Sequence, residues 1–314
     1  MDNPSQAFER QLPQLKGRRY LILDPTDQAI ATLSPARICA DDATLVRGGD
    51  FIPQLQDEDL AVIFLPKSRE RLRFVLAALA AQKPGLEVWL IGLAKGGVKG
   101  GATELGRVAE HVQLLDSARH CKLYRGFLRA GNFALDDWWQ HWQWQDLEFA
   151  SLPGVFSHGR LDAGSQLLLD TLAQHTPHGR GLDVGCGAGV LSLWLARQGC
   201  QMTGVDVSLA ALASARRNAQ HNGVQAEFLS SDVYAALSGR FDFIVTNPPF
   251  HEGMTRTTDI TRRLIGEAPR YLVPGGSLYL VANLGLGYEE WLKTAFRDVT
   301  VLASDKRFRV WRAR

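Results

Sequence analysis

The chain has 314 residues, of which 46% are hydrophobic and 22% charged, and its formal net charge is +2. This length and apolar content suffice for two α/β domains with separate hydrophobic cores. A net charge of +2 is too small to indicate a nucleic-acid partner by itself. No apolar stretch reaches membrane-spanning length, and the amino terminus lacks the basic and apolar regions of a signal peptide. We therefore expect a cytosolic protein.

The chain contains four cysteines, at positions 39, 121, 186 and 200. They lie far apart in the sequence, and no two of them form a Cys-x-x-Cys pair. Both zinc sites and disulfide frameworks are built from more closely patterned cysteines. We therefore expect neither, and we assign no metal ligand.

The first 134 residues alternate between strand-like and helix-like segments. Apolar strands are predicted at Tyr20–Leu23, Leu60–Leu65 and Glu87–Gly92, and an amphipathic helix is predicted over Ser68–Gln82. Alternation of this kind is typical of a parallel, doubly wound sheet. The residues that follow the first two strands, Asp24-Pro25-Thr26 and Leu65-Pro66-Lys67, contain no glycine turn and no amine-binding motif. This domain is therefore predicted to lack a cofactor site.

A basic, glycine-rich segment at residues 95–101 follows the third of these strands. As a flexible loop, it would bring backbone N–H groups and the ammonium groups of Lys95 and Lys99 to an RNA phosphate. The segment lacks the Gly-Lys-Ser/Thr ending of a nucleotide-binding P-loop. The alternative interpretation is a mobile loop without a ligand.

Four tryptophans, Trp138, Trp139, Trp142 and Trp144, cluster before the second half of the chain. The first three have the i, i+1, i+4 spacing of one helix face, which predicts a helix packed between two domains. Stacking on nucleic-acid bases is the alternative role for such aromatic residues. Residues 135–151 are poor in glycine and proline, so we interpret them as a structured joint rather than a flexible linker.

A glycine run lies between a predicted strand, Arg180–Val184, and a predicted amphipathic helix, Val190–Gln198. Glycine in such a turn allows positive φ and lets a ligand approach the backbone closely. A dinucleotide site would require Gly-x-Gly-x-x-Gly and a pyrophosphate at the helix amino terminus. Here the pattern is Gly185-x-Gly187-x-Gly189, preceded by the carboxylate of Asp183. A carboxylate repels phosphate and attracts ammonium and sulfonium groups, so the pattern favours S-adenosylmethionine over NAD.

Two further acidic residues follow the next two predicted strands. Asp206 ends the strand beginning at Gln201, at about the twenty-residue offset where an acid meets ribose hydroxyls in doubly wound folds. Asp232 follows a short strand at residues 226–229, where its carboxylate could accept a hydrogen bond from the adenine amino group. A capping role for Asp232 is the structural alternative. Their order after the glycine turn favours cofactor binding for both.

The motif Asn247-Pro248-Pro249-Phe250 follows the apolar strand Phe241–Thr246. An exocyclic amine on a purine is a poor nucleophile, because its lone pair is delocalised into the ring. The Asn247 side-chain oxygen and the Pro248 carbonyl could each accept one N–H and stabilise the positive charge that develops during methyl transfer. The prolines stiffen the loop, and Phe250 offers a face on which a flipped base can stack. A proline-rich strand exit with Phe250 in the core is the structural alternative.

The last nine residues contain five basic side chains: Lys306, Arg307, Arg309, Arg312 and Arg314. We predict that they alternate along an edge strand. Edge strands often carry basic residues to prevent aggregation, and contact with RNA phosphates is the other interpretation. Residues 151–314 contain 17 Lys and Arg against 14 Asp and Glu, whereas residues 1–150 contain 18 against 19. The slight excess of positive charge thus lies in the half with the motifs.

The glycine run followed by Asn247-Pro248-Pro249-Phe250-His251 is similar to class I S-adenosylmethionine-dependent amino-methyltransferases. The ending Asn-Pro-Pro-Phe-His resembles the branch that modifies guanine N2 in ribosomal RNA. Three further stretches, at residues 116–121, 152–157 and 161–169, resemble the members acting on guanine 1207 of small-subunit 16S rRNA. The likeness covers nearly the whole chain and is weakest before Leu60.

This resemblance implies two Rossmann-like, doubly wound methyltransferase domains in tandem: a degenerate one at 1–134, joined through 135–151 to a catalytic one at 152–314. It also implies that Phe156, Gly164 and Ser165 line the methionine end of the cofactor. The predicted cofactor site comprises Phe156, Gly164, Ser165, Asp183, Gly185, Cys186, Gly187, Gly189, Asp206, Val207, Asp232, Val233 and Asn247. The predicted catalytic residues are Asn247, Pro248 and Phe250. The predicted substrate contacts are Pro249, Phe250, His251, Lys95, Lys99, Arg307 and Arg309.

The predicted reaction is transfer of a methyl group to guanine N2 of 16S rRNA, by a monomer acting on the small ribosomal subunit or its assembly intermediate. The first alternative is a guanine-N2 enzyme acting on 23S rRNA. A glutamine-N5 protein methyltransferase and an adenine-N6 DNA methyltransferase also fit the Asn-Pro-Pro chemistry, because both act on planar nitrogen. A non-catalytic ribosome-assembly factor is the alternative from another class, and the intact acidic series argues against it.

Overall fold

A computed structural model describes residues 1–33, 36–46, 50–248, 255–285 and 287–314. The chain divides into two compact units, Met1–Trp139 and Gln140–Arg314. We call them the amino-terminal unit and the carboxy-terminal unit. The boundary between them lies within the predicted joint at 135–151. Within the described ranges, no helix has the length and apolar character needed to cross a bilayer.

The amino-terminal unit is an α/β sandwich around one mixed sheet. Its strands are β1 (Tyr20–Leu23), β2 (Arg37–Cys39), β3 (Leu60–Phe64), β4 (Glu87–Leu93), β5 (Ala109–Ala118) and β6 (Cys121–Leu128). Its helices are α1 (Asn3–Glu9), α2 (Ile30–Leu33), α3 (Arg69–Gln82) and α4 (Val98–Val108), with 3-10 turns at Leu12–Leu15 and Leu135–Trp138. The strand order is β2-β1-β3-β4-β6-β5, and the first four strands are parallel. Strands β1 and β3 are buried along their whole length, which explains their continuous apolar sequences.

The carboxy-terminal unit contains a two-stranded ribbon and a seven-stranded sheet. The ribbon is β7 (Gln140–Trp144) and β8 (Leu147–Ser151). The sheet is formed by β9 (Arg180–Val184), β10 (Gln201–Asp206), β11 (Glu227–Ser230), β12 (Phe241–Thr246), β13 (Leu272–Asn283), β14 (Val299–Ser304) and β15 (Phe308–Ala313). The helices are α5 (Ala163–Gln174), α6 (Val190–Arg197), α7 (Leu209–His221), α8 (Thr255–Tyr271) and α9 (Tyr288–Ala295). The strand order is β11-β10-β9-β12-β13-β15-β14. The predicted pair of doubly wound domains is confirmed.

Buried Asn218, on α7, joins the ribbon to the glycine turn. Its side chain accepts a hydrogen bond from Ala150 N (2.8 Å) and donates to Ala150 O (3.0 Å) and Ala188 O (2.9 Å). A buried amide that makes all these bonds holds its neighbours in one arrangement. Strand β8 is thereby held close to the turn that precedes α6.

The predicted helix through the tryptophan cluster is wrong. Trp138 ends a 3-10 turn and packs against Phe74 in the amino-terminal unit, whereas Trp142 lies on β7 and stacks on Phe149 of β8 at 4.5 Å between ring centroids. The i, i+1, i+4 spacing fits one face of a helix, but here it spans two different elements, because Trp138 belongs to the 3-10 turn and Trp142 to β7. Each of these two side chains packs within its own unit.

The predicted basic edge strand at the carboxyl terminus is also wrong. Strand β15 is paired on both sides, antiparallel to β13 and to β14, and β14 is the strand at the edge. A chain that ends in an antiparallel hairpin can insert its last strand between two others, and the local sequence does not report this. The anti-aggregation role for Arg309 and Arg312 therefore does not apply.

The glycine-rich segment at 95–101 is only partly a loop. Helix α4 begins at Val98, so Lys99 and the two glycines that follow it are helical. Gly97 precedes the helix with φ +91°, a left-handed conformation that glycine adopts at no steric cost. Lys95 and Lys99 are both exposed, but they lie on different elements rather than on one flexible loop.

Candidate active site

The glycine turn between β9 and α6 has open space in front of its backbone. Gly185 and Gly187 have φ values of +74° and +54°, and a Cβ built on either would meet no atom within 4 Å. The N–H groups of Gly185 and Cys186 donate to Val205 O at 2.8 and 3.0 Å, which joins the turn to β10. The turn is therefore fixed by the sheet while one side of it is accessible to a ligand.

Asp183 lies at the buried end of β9, beneath this turn. Its Oδ2 accepts hydrogen bonds from the backbone N (3.1 Å) and the hydroxyl (2.7 Å) of Ser192. Its Oδ1 is buried and has no partner among the described residues. Burial raises the pKa of the Asp183 carboxyl to about 7. An unpartnered oxygen of a buried carboxyl is suited to receive a cationic group of a ligand.

Asp206 ends β10, as predicted, and also shapes the glycine turn. Gly187 N donates to its Oδ2 at 3.0 Å, and Ser208 N donates to its Oδ1 at 2.9 Å. These contacts hold the Asp206 carboxylate at the strand end, where an acidic side chain is suited to accept hydrogen bonds from ribose hydroxyls. Neighbouring Val207 is half-buried.

Asp232 follows β11 and is joined to Arg263 of α8 by an ion pair. Both side chains are 39% exposed, so the pair is accessible to solvent. Val233 is buried and has a left-handed φ of +55°. The predicted acceptor for the adenine amino group is therefore present at its strand end, together with a basic partner that the sequence did not indicate.

Asn247 follows β12, the strand next to β9. Its Nδ2 donates to Asp162 Oδ2 and to Ser165 Oγ, both at 2.8 Å. Its Oδ1 is buried and has no hydrogen-bond partner among the described residues. Pro248 is buried, and the predicted residues Pro249, Phe250 and His251 lie outside the described residues. The strand end therefore presents a hydrogen-bond acceptor that the described part of the chain leaves free.

The remaining predicted cofactor residues differ in exposure. Phe156 is 59% exposed, the largest exposed fraction among the described large hydrophobic residues. Gly164 is buried, and a Cβ there would lie 3.3 Å from the Phe308 ring. Cys186 is buried in the core, and its burial raises the pKa of the thiol. The exposed ring of Phe156 is available to a ligand. The Cys186 side chain packs in the core, so only its backbone contributes to the turn.

Arg307 and Arg309 lie at the same end of the sheet as Asn247, whereas Arg312 and Arg314 lie towards the other end. Phe308 pairs with Asn283 at the carboxyl end of β13, and the preceding Arg307 is exposed. Arg309 lies 3.5 Å from Glu289 and over the ring of Trp311. The structure therefore places Arg307 and Arg309 beside the strand ends that carry the predicted motifs.

Three contributors to the site were absent from the sequence-based prediction: Asp162, Ser192 and Arg263. Asp162 could have been identified as a helix cap, because it stands three residues before Ser165 in a segment that begins a helix. The cap signal is local, however, and does not show that Asn247, 85 residues later, bonds to the same carboxylate. Ser192 and Arg263 carry no motif at all.

S-adenosylmethionine fits this constellation. The unpartnered Asp183 Oδ1 matches its ammonium group, the open face of the glycine turn admits a nucleoside, and Asp206 and Asp232 follow in strand order beyond it. The described residues contain no group of three or more His, Cys, Asp or Glu side chains arranged to hold a metal ion. The arrangement can bind a cationic nucleoside and accept a hydrogen bond from an amino group presented at Asn247.

Comparison with known sequences agrees with this assignment. The profile of the methyltransferase small domain matches residues 146–312, and that of the methyltransferase small domain N-terminal family matches residues 5–142. The ribosomal RNA small subunit methyltransferase C of Alcanivorax borkumensis is 46% identical over 323 aligned positions, which cover 100% of this chain and 99% of that protein. The Chromohalobacter salexigens protein of the same name is 44% identical and covers 81% of this chain and 77% of its own.

A solved structure extends the similarity to three dimensions. The 16S rRNA N2 G1207 methyltransferase RsmC of T. thermophilus, in complex with AdoMet and guanosine, superposes with a TM-score of 0.83 and 28% identity. The match covers 95% of this chain and 88% of that one. Both units of the chain therefore have counterparts in that protein.

Proposed function

The chain belongs to the ribosomal RNA small subunit methyltransferase C family, and on that premise we propose that it methylates guanine N2 at position 1207 of 16S rRNA, with S-adenosylmethionine as methyl donor. One structural observation supports this proposal most directly. The Asn247 side chain presents an unpartnered oxygen at the end of β12, next to the strand that leads into the glycine turn. Such an oxygen accepts a hydrogen bond from an N–H or O–H donor, and the 2-amino group of guanine offers two N–H donors.

The cofactor would be held through three carboxylates. Asp183 Oδ1 would receive its ammonium group, Asp206 its ribose hydroxyls and Asp232 its adenine amino group, which requires Asp232 to share its contact with Arg263. When bound, S-adenosylmethionine supplies a methyl group on a positively charged sulfur. The exposed side chain of Phe156 is proposed to cover the methionine end of the cofactor.

The proposed chemistry depends on orientation and on charge stabilisation. Guanine N2 forms a bond to the methyl carbon as the carbon–sulfur bond breaks, so positive charge develops on N2. Asn247 Oδ1 accepts one N–H of that nitrogen, and the Pro248 carbonyl accepts the other. Both acceptors lie on a proline-stiffened strand exit, so little reorganisation is needed in the transition state. N2 then loses one proton to solvent, which restores a neutral amine without a strong protein base.

The RNA must present the base in an accessible form. Guanine N2 lies in the minor groove of a paired helix, so the target has to be unpaired or flipped before it reaches Asn247. We propose that exposed Arg307, with Arg309 nearby, contacts phosphates around this base. Phe250 and His251 are proposed to contact the base itself. Lys95 and Lys99 of the amino-terminal unit are proposed to contact RNA phosphates further away, which makes that unit an RNA-docking domain.

We further propose a cytoplasmic monomer that acts on the small ribosomal subunit or on its assembly intermediate. The deciding experiment uses small and large subunits from a strain that lacks the modification. Each is incubated with radiolabelled S-adenosylmethionine and the protein, and the labelled nucleotide is mapped. N2-methylguanine at position 1207 of 16S rRNA is the expected product. Label in 23S rRNA would transfer the activity to the large subunit, and the absence of label in both would contradict an RNA substrate.

A further inference from the structure

The amide of Asn247 is held by one of its two polar atoms only. Both hydrogens of Nδ2 have acceptors, Asp162 Oδ2 and Ser165 Oγ, each at 2.8 Å. The oxygen of the same amide is buried and has no partner among the described residues. An amide with both donors satisfied and its acceptor free points in one defined direction.

Asp162 is itself held in place by the helix that it caps. It has extended backbone angles at the start of α5, and its Oδ2 accepts from Ser165 N at 3.0 Å. The intervening Gly164 leaves little spare room, since a Cβ there would lie 3.0 Å from the same oxygen. Helix α5 packs against β13 and β15 of the sheet that carries Asn247. The Asp162 carboxylate is therefore held in one position, from which it can orient the Asn247 side chain.

The chemistry of Asp162 decides which way the amide faces. The two ends of an asparagine amide have nearly the same shape, so packing alone does not distinguish them. A carboxylate only accepts hydrogen bonds, so it favours the orientation in which Nδ2 faces it. The flipped orientation would place two oxygens against each other and would direct an NH₂ group at the target amine. Ser165 contributes less to this choice, because a hydroxyl can donate as well as accept.

We propose that Asp162, assisted by Ser165, is a positioning residue that sets the orientation of the Asn247 amide and thereby makes the site accept an amino group. The inference rests on the proposed methyl transfer to guanine N2. It also explains why the site selects an amino group. With Oδ1 facing the substrate, the site receives a hydrogen-bond donor. It repels a purine that carries a carbonyl oxygen in place of the 2-amino group. The negative charge on Asp162 also polarises the amide and strengthens Oδ1 as an acceptor.

The test uses Asp162→Ser, because serine caps a helix about as well as aspartate, whereas its shorter hydroxyl can donate as well as accept and so does not fix the Asn247 amide. The variant should keep the wild-type melting temperature and cofactor Kd, and its kcat should fall about 10- to 100-fold, since a misdirected amide no longer stabilises charge on N2. Ser165→Ala should lose less. In an Asn247→Ala background, Asp162→Ser should cause no further loss, because both changes remove the same interaction. Independent, multiplicative losses would overturn the proposal.

A second measurement needs no turnover. The side-chain NH₂ resonance of Asn247, assigned by its disappearance in Asn247→Ala, should exchange slowly with solvent in the wild type and rapidly in Asp162→Ser. Equal exchange rates in the two proteins would contradict the orientation. If the wild type methylated no RNA, the proposed function would fail while this measurement still decided the role of Asp162.

Discussion

The two units contain sheets of nearly the same strand order, but their described residues differ at the carboxyl ends of the strands. The order β2-β1-β3-β4-β6-β5 matches β10-β9-β12-β13-β15-β14, and β11 is the additional strand of the carboxy-terminal unit. After β9, Gly185 has φ +74° and faces open space. After β1, at the same place in the order, Asp24 has φ +46°.

The difference lies in what fills the space beyond these two turns. The Asp24 carboxylate receives two hydrogen bonds from Arg71, at 2.9 and 3.0 Å, and one from Asp41 N at 3.0 Å. After β3, the counterpart of β12, the chain has partly buried Leu65, which packs in the core, where the other unit has Asn247. A buried ion pair and a leucine thus occupy the strand ends of the amino-terminal unit, where the carboxy-terminal unit has Gly185 and Asn247. In the carboxy-terminal unit the corresponding strands lead instead to acceptor oxygens, Asp183 Oδ1 and Asn247 Oδ1, that have no partner among the described residues.

The largest effect is expected from Asn247→Ala. The variant should lower kcat for methyl transfer by about 10²- to 10³-fold, because it removes an acceptor that acts on charge developing in the transition state. Its cofactor Kd should stay close to that of the wild type, since Asn247 is assigned to the amine rather than to the carboxylate-lined part of the site. Single-turnover rates and calorimetry would measure the two quantities. Wild-type turnover by this variant would show that the contrast between Asn247 and Leu65 has no functional meaning.

The next effect concerns the stability of the amino-terminal unit. Arg71→Met should lower its free energy of unfolding by about 3–5 kcal/mol, because the change leaves the carboxylate of Asp24 buried without its charge partner. Adding Asp24→Asn should restore much of that loss. Hydrogen exchange of the β1 and β3 amides, followed by mass spectrometry, would measure it. Cofactor binding by either variant should equal that of the wild type, and a changed cofactor Kd would contradict a purely structural role for the pair.

The raised pKa of Asp183, in the carboxy-terminal unit, predicts that the affinity for the cofactor depends on pH. Burial raises the pKa of its carboxyl to about 7 in the free protein, so the group is mostly ionised above that pH and protonated below it. A cationic cofactor requires the ionised form, so affinity should be highest above pH 7 and fall as the pH is lowered. Calorimetric titrations should show a loss of more than about tenfold between pH 7 and pH 5.5. Asp183→Asn should bind weakly with no such slope, and an unchanged slope in that variant would assign the titration to another group.

The smallest effect is expected from the surface cations. Arg307→Gln should weaken RNA binding a few-fold and reduce the slope of log K against log salt by about one, as expected for one phosphate contact. Lys95→Gln should do the same if the amino-terminal unit docks RNA. Arg197→Gln is the matched control, because that residue ends α6 at the opposite end of the sheet and pairs with Asp146. Filter binding at several salt concentrations would measure these slopes, and an equal loss in the control would indicate only a change in net charge.

The sequence predicted the elements whose signal is local. The bounds of β9 and β12 agree with the prediction, because each strand is mostly buried and is followed directly by a turn signal, Gly185 after β9 and Asn247-Pro248 after β12. The prediction failed where the outcome depended on distant partners. Strand β15 has the sequence of an edge strand but is inserted between β13 and β14 by the final hairpin. Asp162 reads as a helix cap, and only the fold brings its carboxylate to Asn247.

The buried Asn218 implies an order of events on the ribosome that makes this chain. Ala150, on β8, leaves the exit tunnel 68 residues before Asn218, whose side chain hydrogen-bonds to both the backbone N and the backbone O of Ala150. At about 5–20 residues per second, that delay lasts roughly 3 to 14 s. The sheet of the amino-terminal unit is complete once Leu128 has emerged, before that interval begins. We expect the amino-terminal unit to form its sheet first, while the carboxy-terminal unit waits for α7 to be translated.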